Sequence, residues 1–411
     1  MQYPRYIASC LAEAVEDTPA VLVHGPRQSG KTTLVKEFGE SNDYTYVTFD
    51  SDAQVRAATE DPIGFVARLG PKAVLDEVQR VPHLFTTLKA AIDRDRTPGR
   101  FVMTGSANVL MVPALADSLA GRMEILRMSP LSQAEIHGNQ STFIANLLDN
   151  SFAPRTAERL GSQLAAIVTT GGYPEALARS PRRAASFLRA HAETQIQRDV
   201  KDLARIRALE IAPNLLRQVS AYTAQLANVS RLAGDLGVAR ETVNEHLVLL
   251  ENIFVISRLR AWSKSEAKRL ARAPKLHISD TGMGAALLRM TAADVDHDRT
   301  SLGHLLESFV LAELQAQAAW HDADPTFSHF RDAHQYEVDI VLERGPHRVA
   351  GVEVKASATV SRKDFDGLKK LRDAAASSFT SGVVLYDGNV GYRHEENLWA
   401  LPISMLWEAN A

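Results

Sequence analysis

The sequence contains a single cysteine, little excess of either charge and no long apolar run. Because Cys10 stands alone among 411 residues, an intramolecular disulfide and a cysteine-rich zinc site are excluded, and a reducing cytoplasm is the expected compartment. Nowhere do about 18 apolar residues follow one another, as a membrane-spanning helix requires. The first residues also lack the apolar core of a signal peptide. We therefore expect a cytoplasmic protein with no membrane partner.

The charge of the whole chain is close to balanced. There are 46 lysines and arginines against 49 acidic residues, which gives a net charge of −3 at pH 7. A surface for nucleic acid would therefore have to be a local basic patch. Hydrophobic residues make up 45% and charged residues 23% of the chain, which are ordinary values for globular proteins and exclude disordered and fibrous classes. At roughly 100–200 residues per domain, this length predicts several domains.

Three blocks follow one another along the chain, and we interpret them as domains. Residues 1–130 alternate short apolar strands with helical stretches, which is typical of an α/β fold with a three-layer parallel sheet. Residues 131–273 have mainly helical patterns, and residues 274–411 return to alternating strands and helices as a second α/β unit. The strands predicted in the first block are Ala20–His24, Tyr44–Phe49, Lys72–Leu75 and Arg100–Thr104.

Residues 25–32 match the pattern G-x-x-x-x-G-K-T of a Walker A phosphate-binding loop. The context also matches, because an apolar strand precedes the loop and a helix-like stretch follows it. Backbone N–H groups would surround the phosphates of ATP, Lys31 would reach the β- and γ-phosphates, and Thr32 would bind Mg²⁺. A plain glycine turn before a helix is the alternative. The predicted nucleotide-binding residues are Gly25, Pro26, Arg27, Gln28, Ser29, Gly30, Lys31, Thr32 and Thr33.

Two acidic residues end the apolar strand over Lys72–Leu75, as in a Walker B motif. Asp76 would hold Mg²⁺, and Glu77 would polarise the water that attacks the γ-phosphate. Paired acids after a strand also cap helices, which is the alternative interpretation.

Polar residues after the next strand, and an arginine beyond it, are further catalytic candidates. Thr104 and Ser106 could both sense the γ-phosphate, and helix capping is the alternative. Arg122 ends a turn of small residues and could neutralise charge on the γ-phosphate, either in its own chain or across the subunit boundary of a homo-oligomer. A structural salt bridge would explain this arginine equally well.

These motifs resemble those of the prokaryotic AAA-type P-loop ATPases that carry a C-terminal DUF4143 region. The resemblance covers essentially the whole chain and implies an ATPase core that uses ATP and Mg²⁺, a winged helix and a nuclease-like tail, without a settled biological role. The residues that carry it are Gly25–Leu34, Leu75–Pro82, Thr104–Ser106, Leu119–Arg122, Gly171–Glu175 and Arg198–Val200.

A helix-turn-helix is predicted over residues 230–253, with residues 254–262 as the wing. Residues 258–275 then carry seven basic residues against one acid, a local net charge of +6 that suits contact with DNA phosphates. Three glutamates in the second helix argue against base readout, and winged helices also serve as packing modules. The basic residues expected at DNA are Arg240, Arg258, Arg260, Lys264, Lys268 and Arg269.

The last block contains a second set of charged residues. Glu307 is expected on a helix over Leu302–Ala319, Asp339 on a strand, and Glu353 and Lys355 on one face of the following strand. This order resembles the PD-(D/E)XK nuclease fold. The resemblance implies that Glu307, Asp339 and Glu353 form a Mg²⁺ site and that Lys355 orients a water molecule; folds of this kind also occur without nuclease activity.

Together these features predict a Mg²⁺-dependent AAA-type ATPase that is associated with DNA and uses hydrolysis as a conformational switch. Two alternatives stay open. One is an ATP-regulated, metal-dependent DNA nuclease whose chemistry lies in the tail. The other is an antitoxin-like or signalling ATPase that acts on protein partners. We also expect slow hydrolysis without a partner, because no arginine finger is unambiguous in the sequence.

Overall fold

The structure is a computed structural model that describes residues 3–106, 121–200, 210–321 and 324–409, without the side chains of residues 199, 200, 266 and 268. It divides into two compact units. The N-terminal unit covers the described residues of 4–130 together with 252–254, and the C-terminal unit covers those of 131–251 and 255–411 together with residue 3. Within the described ranges, no helix is long and apolar enough to cross a membrane.

The N-terminal unit is built on a parallel sheet. Its five described strands lie in the order β2-β3-β4-β1-β5. They are β1 (Ala20–His24), β2 (Thr45–Thr48), β3 (Ala73–Asp76), β4 (Phe101–Gly105) and β5 (Met123–Arg127). The helices are α1 (Ile7–Asp17), α2 (Lys31–Ser41), α3 (Asp52–Glu60), α4 (Pro62–Arg68) and α5 (Leu84–Arg94). Strand β4 lies between β1 and β3, so it separates the strand before the Walker A loop from the strand that carries the Walker B acids.

Continuous burial of the central strands explains why they were predictable. All residues of β1, β3 and β4 are buried, as expected for parallel strands that are covered on both faces. Leu22, Leu75 and Phe101 from these strands belong to one core cluster with Phe65 of α4 and Phe85 of α5. The four predicted strands are present, each within one residue of its predicted limits. The edge strand β5 was not predicted, because Leu126 is its only buried residue.

The C-terminal unit contains a mixed sheet. Its ten described strands lie in the order β6-β14-β15-β13-β12-β11-β10-β8-β9-β7. They are β6 (Arg155–Thr156), β7 (Gln225–Leu226), β8 (Ile256–Ala261), β9 (Lys275–Ile278), β10 (Thr326–Arg331), β11 (Glu337–Arg344), β12 (Arg348–Lys355), β13 (Phe379–Tyr386), β14 (Val390–Glu395) and β15 (Leu398–Pro402).

Helices come before and between these strands along the chain, and some of them pack on the sheet. Helix α18 (Asp366–Ala375) packs on β11, β12 and β13 through a core that includes Leu368 and Leu371 of the helix and Phe365 directly before it. The described helices are α6 (Gln133–His137), α7 (Phe143–Asp149), α8 (Ser162–Thr170), α9 (Pro174–Leu177), α10 (Pro181–Gln195), α11 (Ile211–Ala221), α12 (Val229–Leu236), α13 (Arg240–Asn252), α14 (Glu266–Ala271), α15 (Thr281–Leu287), α16 (Ala292–His297), α17 (Arg299–Ala318) and α18 (Asp366–Ala375).

Two helices occupy the predicted helix-turn-helix, and strands follow them. The Asn228 side chain caps α12, and Gly237 ends it with a left-handed φ of +66°. After α13, β8 and β9 pair in antiparallel fashion, and β9 also pairs with β7. Strand β8 pairs with β10 on its other side. The strands on both sides of residue 273 therefore belong to one sheet, and the three-domain division stays a prediction.

Candidate functional site

The loop between β1 and α2 has the tight backbone that a phosphate-binding loop needs. A Cβ atom on Gly25 would lie 1.9 Å from the carbonyl oxygen of Met128, so only glycine fits there. Gly30, directly before α2, has a left-handed φ of +99°. Helix α2 therefore starts where the loop ends, and its first N–H groups are available to an anion in the loop. Of the remaining predicted residues, Gln28, Thr32 and Thr33 are exposed, and Pro26 and Ser29 are buried, with Arg27 half-buried.

Two cationic side chains hold the carbonyl groups of this loop. The buried Lys31 donates through Nζ to the carbonyl oxygens of Gly25, at 2.9 Å, and Pro26, at 2.7 Å. Arg5 donates to the carbonyl oxygens of Ser29, at 3.0 Å, and Ser129, at 2.6 Å. Lys31 was predicted as a phosphate ligand. Arg5 was not predicted, because no sequence motif connects it to residues 24 and 124 positions away.

The carboxylate of Asp76 is the meeting point of several hydroxyl groups. Thr32 Oγ1 lies 3.1 Å from Oδ1, and Thr104 Oγ1 lies 2.5 Å from the same oxygen. The Tyr46 hydroxyl donates to Oδ2 at 2.9 Å, and Thr48 Oγ1 lies 3.4 Å from it. Burial and the charge of Asp76 raise the pKa of Tyr46 above its usual value, so its hydroxyl stays a donor. Walker A and Walker B residues thus supply neighbouring oxygen atoms, the ligand type that Mg²⁺ prefers.

Glu77 is held in an unusual backbone conformation beside this carboxylate. Its φ of +60° is left-handed, which costs energy for a residue other than glycine and is common at functional sites. The backbone N–H of Glu77 donates to Thr104 Oγ1 at 2.9 Å. Its carboxylate accepts from Ser106 Oγ at 3.2 Å and from the amide of Gln79, which also donates to Ser106 at 2.9 Å. Thr104 therefore positions the backbone of Glu77, and Ser106 contacts its side chain.

The structure does not bring Arg122 to the phosphate loop of its own chain. Strands β1 and β5 are parallel, and Met123 lies opposite Ala20, whereas the loop begins after His24 at the other end of β1. Ala20 and His24 are four residues apart, so at about 3.3 Å per residue the end of the sheet that carries Arg122 is on the order of 13 Å from the loop. Arg122 instead donates to the carboxylate of Asp93, at 2.6 and 3.1 Å. The salt bridge is what the structure shows, and a role across a subunit boundary stays a prediction.

A cluster of buried charges lies in the C-terminal unit. Lys275 Nζ, on β9, lies 2.7 Å from Glu307 Oε1, 2.5 Å from Glu337 Oε1 and 3.2 Å from Asp339 Oδ1. Asp339 also accepts from the backbone N–H of Val354 at 2.9 Å. We call Lys275, Glu307, Glu337, Asp339, Glu353 and Lys355 the carboxylate cluster. It unites the four residues predicted for the nuclease-like site with Glu337 and Lys275, which were not predicted there.

The charges of this cluster strongly perturb one another. Burial disfavours the ammonium form of Lys275, but the carboxylates of Asp339, Glu307 and Glu337 outweigh burial and raise its pKa. Burial and the charge of Asp339 raise the pKa of Glu353 to about 8, although Lys355 donates to Glu353 at 2.7 Å. Burial, followed by the charge of Asp339, likewise raises the pKa of Glu307. Lys275 and Lys355 thus offset the carboxylates that remain ionised.

The described residues of the carboxylate cluster do not have the arrangement of a metal site. Among the residues that the structure describes, no group of three or more His, Cys, Asp or Glu side chains could hold a metal ion. The Mg²⁺ site expected at Glu307, Asp339 and Glu353 therefore stays a prediction, and the position of Lys275 argues against it.

The positive charge of the basic stretch at 258–275 is partly neutralised by acidic side chains from elsewhere in the chain. Arg258 donates to Glu251 at 2.8 Å, Arg269 pairs with Glu343 at 2.7 and 3.0 Å, and Lys275 is buried in the carboxylate cluster. Arg260 and Lys264 are exposed. Arg240, at the start of α13, is also exposed, and the side chain of Lys268 lies outside the described part of the chain. Fewer cations thus face solvent than the predicted nucleic-acid surface contained.

Comparison with known proteins places this architecture in a family. A family model described as an AAA domain matches residues 17–137, and two domains of unknown function, DUF8612 and DUF4143, match residues 161–294 and 302–406. The uncharacterised protein Rv2008c of Mycobacterium tuberculosis is 30% identical over 407 residues, which are 98% of this chain and 84% of that protein. This chain belongs to the AAA-type P-loop ATPases with a C-terminal DUF4143 region. As a member of this family, the chain is an ATPase.

Two further similarities accompany this assignment. The uncharacterised protein Mb2031c of Mycobacterium bovis matches this ATPase to the same extent, with 30% identity over 98% of this chain and 84% of that protein. Among solved structures, the Walker-type ATPase PABY2304 of Pyrococcus abyssi has 15% identity and a TM-score of 0.41, covering 69% of this chain and 94% of the other.

Proposed function

We propose that this ATPase hydrolyses ATP in a Mg²⁺-dependent cycle that serves as a conformational switch, and that it associates with DNA. The observation that best supports the Mg²⁺-dependent cycle is the 3.1 Å approach of Thr32 Oγ1 to the carboxylate of Asp76. These two residues would hold the ion, which would neutralise charge on the β- and γ-phosphates. Lys31 would exchange its loop carbonyls for phosphate oxygens when ATP binds.

Glu77 is the proposed base of the reaction. It takes a proton from the water whose oxygen forms the new bond to the γ-phosphorus, while the bond to the β-phosphate oxygen breaks and ADP leaves. The carboxylate of Glu77 is engaged by Gln79 and Ser106, so it has to turn from these donors toward the water. This exchange of partners would couple the γ-phosphate to the segment after β3. Because Glu77 must first leave Gln79 and Ser106, we also expect slow hydrolysis in the absence of a partner.

Replacing Asp76 by asparagine tests the dependence on Mg²⁺. We expect the rate of ATP hydrolysis to fall about 100-fold or more, because several kcal/mol of charge stabilisation at the phosphates depend on the ion. Phosphate release is measured while Mg²⁺ is titrated against EDTA. The matched control is Tyr46→Phe, which removes one donor to Asp76 but leaves both carboxylate oxygens. Wild-type hydrolysis that continues undiminished in EDTA would contradict the proposal.

The proposed DNA contact is limited to those predicted cations that the structure describes as exposed. Arg240, Arg260 and Lys264 are exposed, whereas Arg258 and Arg269 already bind acidic side chains. The exposed Glu241 and Glu245 on α13 disfavour base readout. We therefore propose weak contact with phosphates and no sequence preference.

The salt dependence of DNA binding tests this proposal. Three phosphate contacts give a slope of about −2.7 in log K against log salt, so affinity should fall about 40-fold between about 50 and 200 mM salt. Reversing Arg240, Arg260 and Lys264 to glutamate should abolish binding, measured by fluorescence anisotropy with duplex DNA. The control reverses Arg182 and Arg183, which are exposed on α10. If the wild type binds no DNA at about 50 mM salt, the alternative of protein partners is favoured instead.

A further inference from the structure

Lys275 lies among the carboxylates that the nuclease-like pattern assigns to a metal ion. Its Nζ atom lies within 3.2 Å of oxygens from three different residues, Glu307, Glu337 and Asp339. We propose that the ammonium group of Lys275 replaces a divalent cation in the carboxylate cluster, and that the native cluster consequently binds no metal. This inference does not depend on the proposed ATPase cycle, because every residue involved belongs to the C-terminal unit.

The backbone fixes Lys275 in this position. Strand β9 is buried over its whole length and pairs on both sides, with Lys275 opposite Leu259 of β8 and opposite Leu226 of β7. The Lys275 side chain is only 3% exposed. A buried ammonium group is tolerated only with compensating charges and hydrogen bonds. Glu307 and Asp339 accept hydrogen bonds from Lys275, and Glu337 forms an ion pair with it. Lys275 is therefore an integral member of the cluster and not a surface residue that has folded inward.

The spacing of the oxygen atoms fits an ammonium group better than Mg²⁺. Lys275 Nζ donates to Glu307 at 2.7 Å and to Asp339 at 3.2 Å, and Glu337 Oε1 lies 2.5 Å away, which are distances of ammonium–carboxylate pairs. Mg²⁺ requires oxygens at about 2.1 Å in near-octahedral geometry. An additional divalent ion would also stand close to the charges of both Lys275 and Lys355, in a buried region where repulsion between like charges is strong.

A lack of access to the carboxylate cluster is not the reason for the proposed absence of a metal ion. A cavity of about 570 Å³ reaches the cluster, and its lining includes Lys275, Glu307, Glu337, Asp339 and Glu353. An ion of the size of Mn²⁺ and its water ligands can enter a space of this volume. Removal of the Lys275 ammonium group should therefore leave Glu307, Glu337 and Asp339 accessible and without the cation that pairs with them, which are the conditions for binding a divalent cation.

The test measures binding of Mn²⁺ to the full chain, without nucleotide, by electron paramagnetic resonance. We expect Lys275→Ala to gain one bound Mn²⁺ per chain with at least about tenfold higher affinity than the wild type, and Lys275→Ala/Asp339→Asn to lose that gain. The matched control is Lys355→Ala, which removes the other lysine of the cluster, leaves Lys275 in place and should gain no ion. Any Mn²⁺ at the nucleotide loop is common to all variants, because none of the substitutions touches that loop.

Two results would overturn the proposal. One is Mn²⁺ binding by the wild type that Asp339→Asn removes, and the other is a folded Lys275→Ala protein that gains no Mn²⁺. Thermal unfolding gives a second readout, because Mn²⁺ should raise the Tm of Lys275→Ala and leave that of the wild type unchanged. If Lys275→Ala folds only when Mn²⁺ is added, the rescue supports the proposal. If it does not fold at all, the comparison of the wild type with Asp339→Asn decides.

Discussion

Replacing Glu77 by glutamine is expected to lower the rate of ATP hydrolysis by about 10²- to 10⁴-fold, the range typical for loss of a general base. Glutamine keeps the volume and the hydrogen-bonding reach of the side chain but cannot take the proton from water. ATP affinity should change little, because the phosphates are held by the loop and Lys31. The measurement combines single-turnover phosphate release with the dissociation constant of ATP.

The control for this substitution is Gln79→Ala. It removes the amide that engages the Glu77 carboxylate but keeps the carboxylate itself, so hydrolysis should persist. A Glu77→Gln protein that retains more than about one tenth of the wild-type rate would show that another group accepts the proton. The same variant also reports on the switch. With ATP bound and hydrolysis blocked, its pattern of limited proteolysis should differ from that of the wild type with ADP.

The places of the two Walker motifs in the fold were predictable because each motif depends on local spacing. The loop at 25–32 and the acids Asp76 and Glu77 lie at the ends of buried strands, and parallel strands bring such ends to one edge of the sheet. The convergence of Thr32 on Asp76 is a consequence of that topology. Residues that complete the site from elsewhere in the chain left no comparable signal. Tyr46, for example, belongs to a strand whose pattern gives no sign that its hydroxyl reaches Asp76, 30 positions away.

The carboxylate cluster shows a different limit of sequence reasoning. Counting charges along residues 258–275 placed Lys275 in a basic patch, because the acids that neutralise it come from α17 and β11, far along the chain. Arg269 is neutralised in the same way by Glu343. A run of like charges in sequence is therefore a poor measure of surface charge where the run passes through the interior of a sheet. The edge strand β14 was also not predicted, since Gly391 is its only buried residue.

Replacing Thr104 by valine is expected to reduce the hydrolysis rate by about 10- to 100-fold and to destabilise the N-terminal unit by about 1–3 kcal/mol. Valine has nearly the same shape, so the change isolates the hydroxyl group. That hydroxyl is fully buried, donates to Asp76 at 2.5 Å and accepts the backbone N–H of Glu77 at 2.9 Å. Its loss would leave this N–H without a partner in a residue whose left-handed backbone is already strained. The carboxylate of Glu77 would then be less well positioned for the attacking water.

Two matched variants assign this effect to the correct hydroxyl. Thr48→Val removes a weaker contact to the same carboxylate, at 3.4 Å, and should have little effect on either measurement. Ser106→Ala removes a contact to the Glu77 side chain without disturbing its backbone, so it should reduce the rate less than Thr104→Val and leave stability nearly unchanged. Denaturant unfolding and single-turnover hydrolysis are measured for all three variants. If Ser106→Ala is the more damaging change, sensing of the γ-phosphate belongs to Ser106, and the contact between Thr104 and Asp76 only supports the fold.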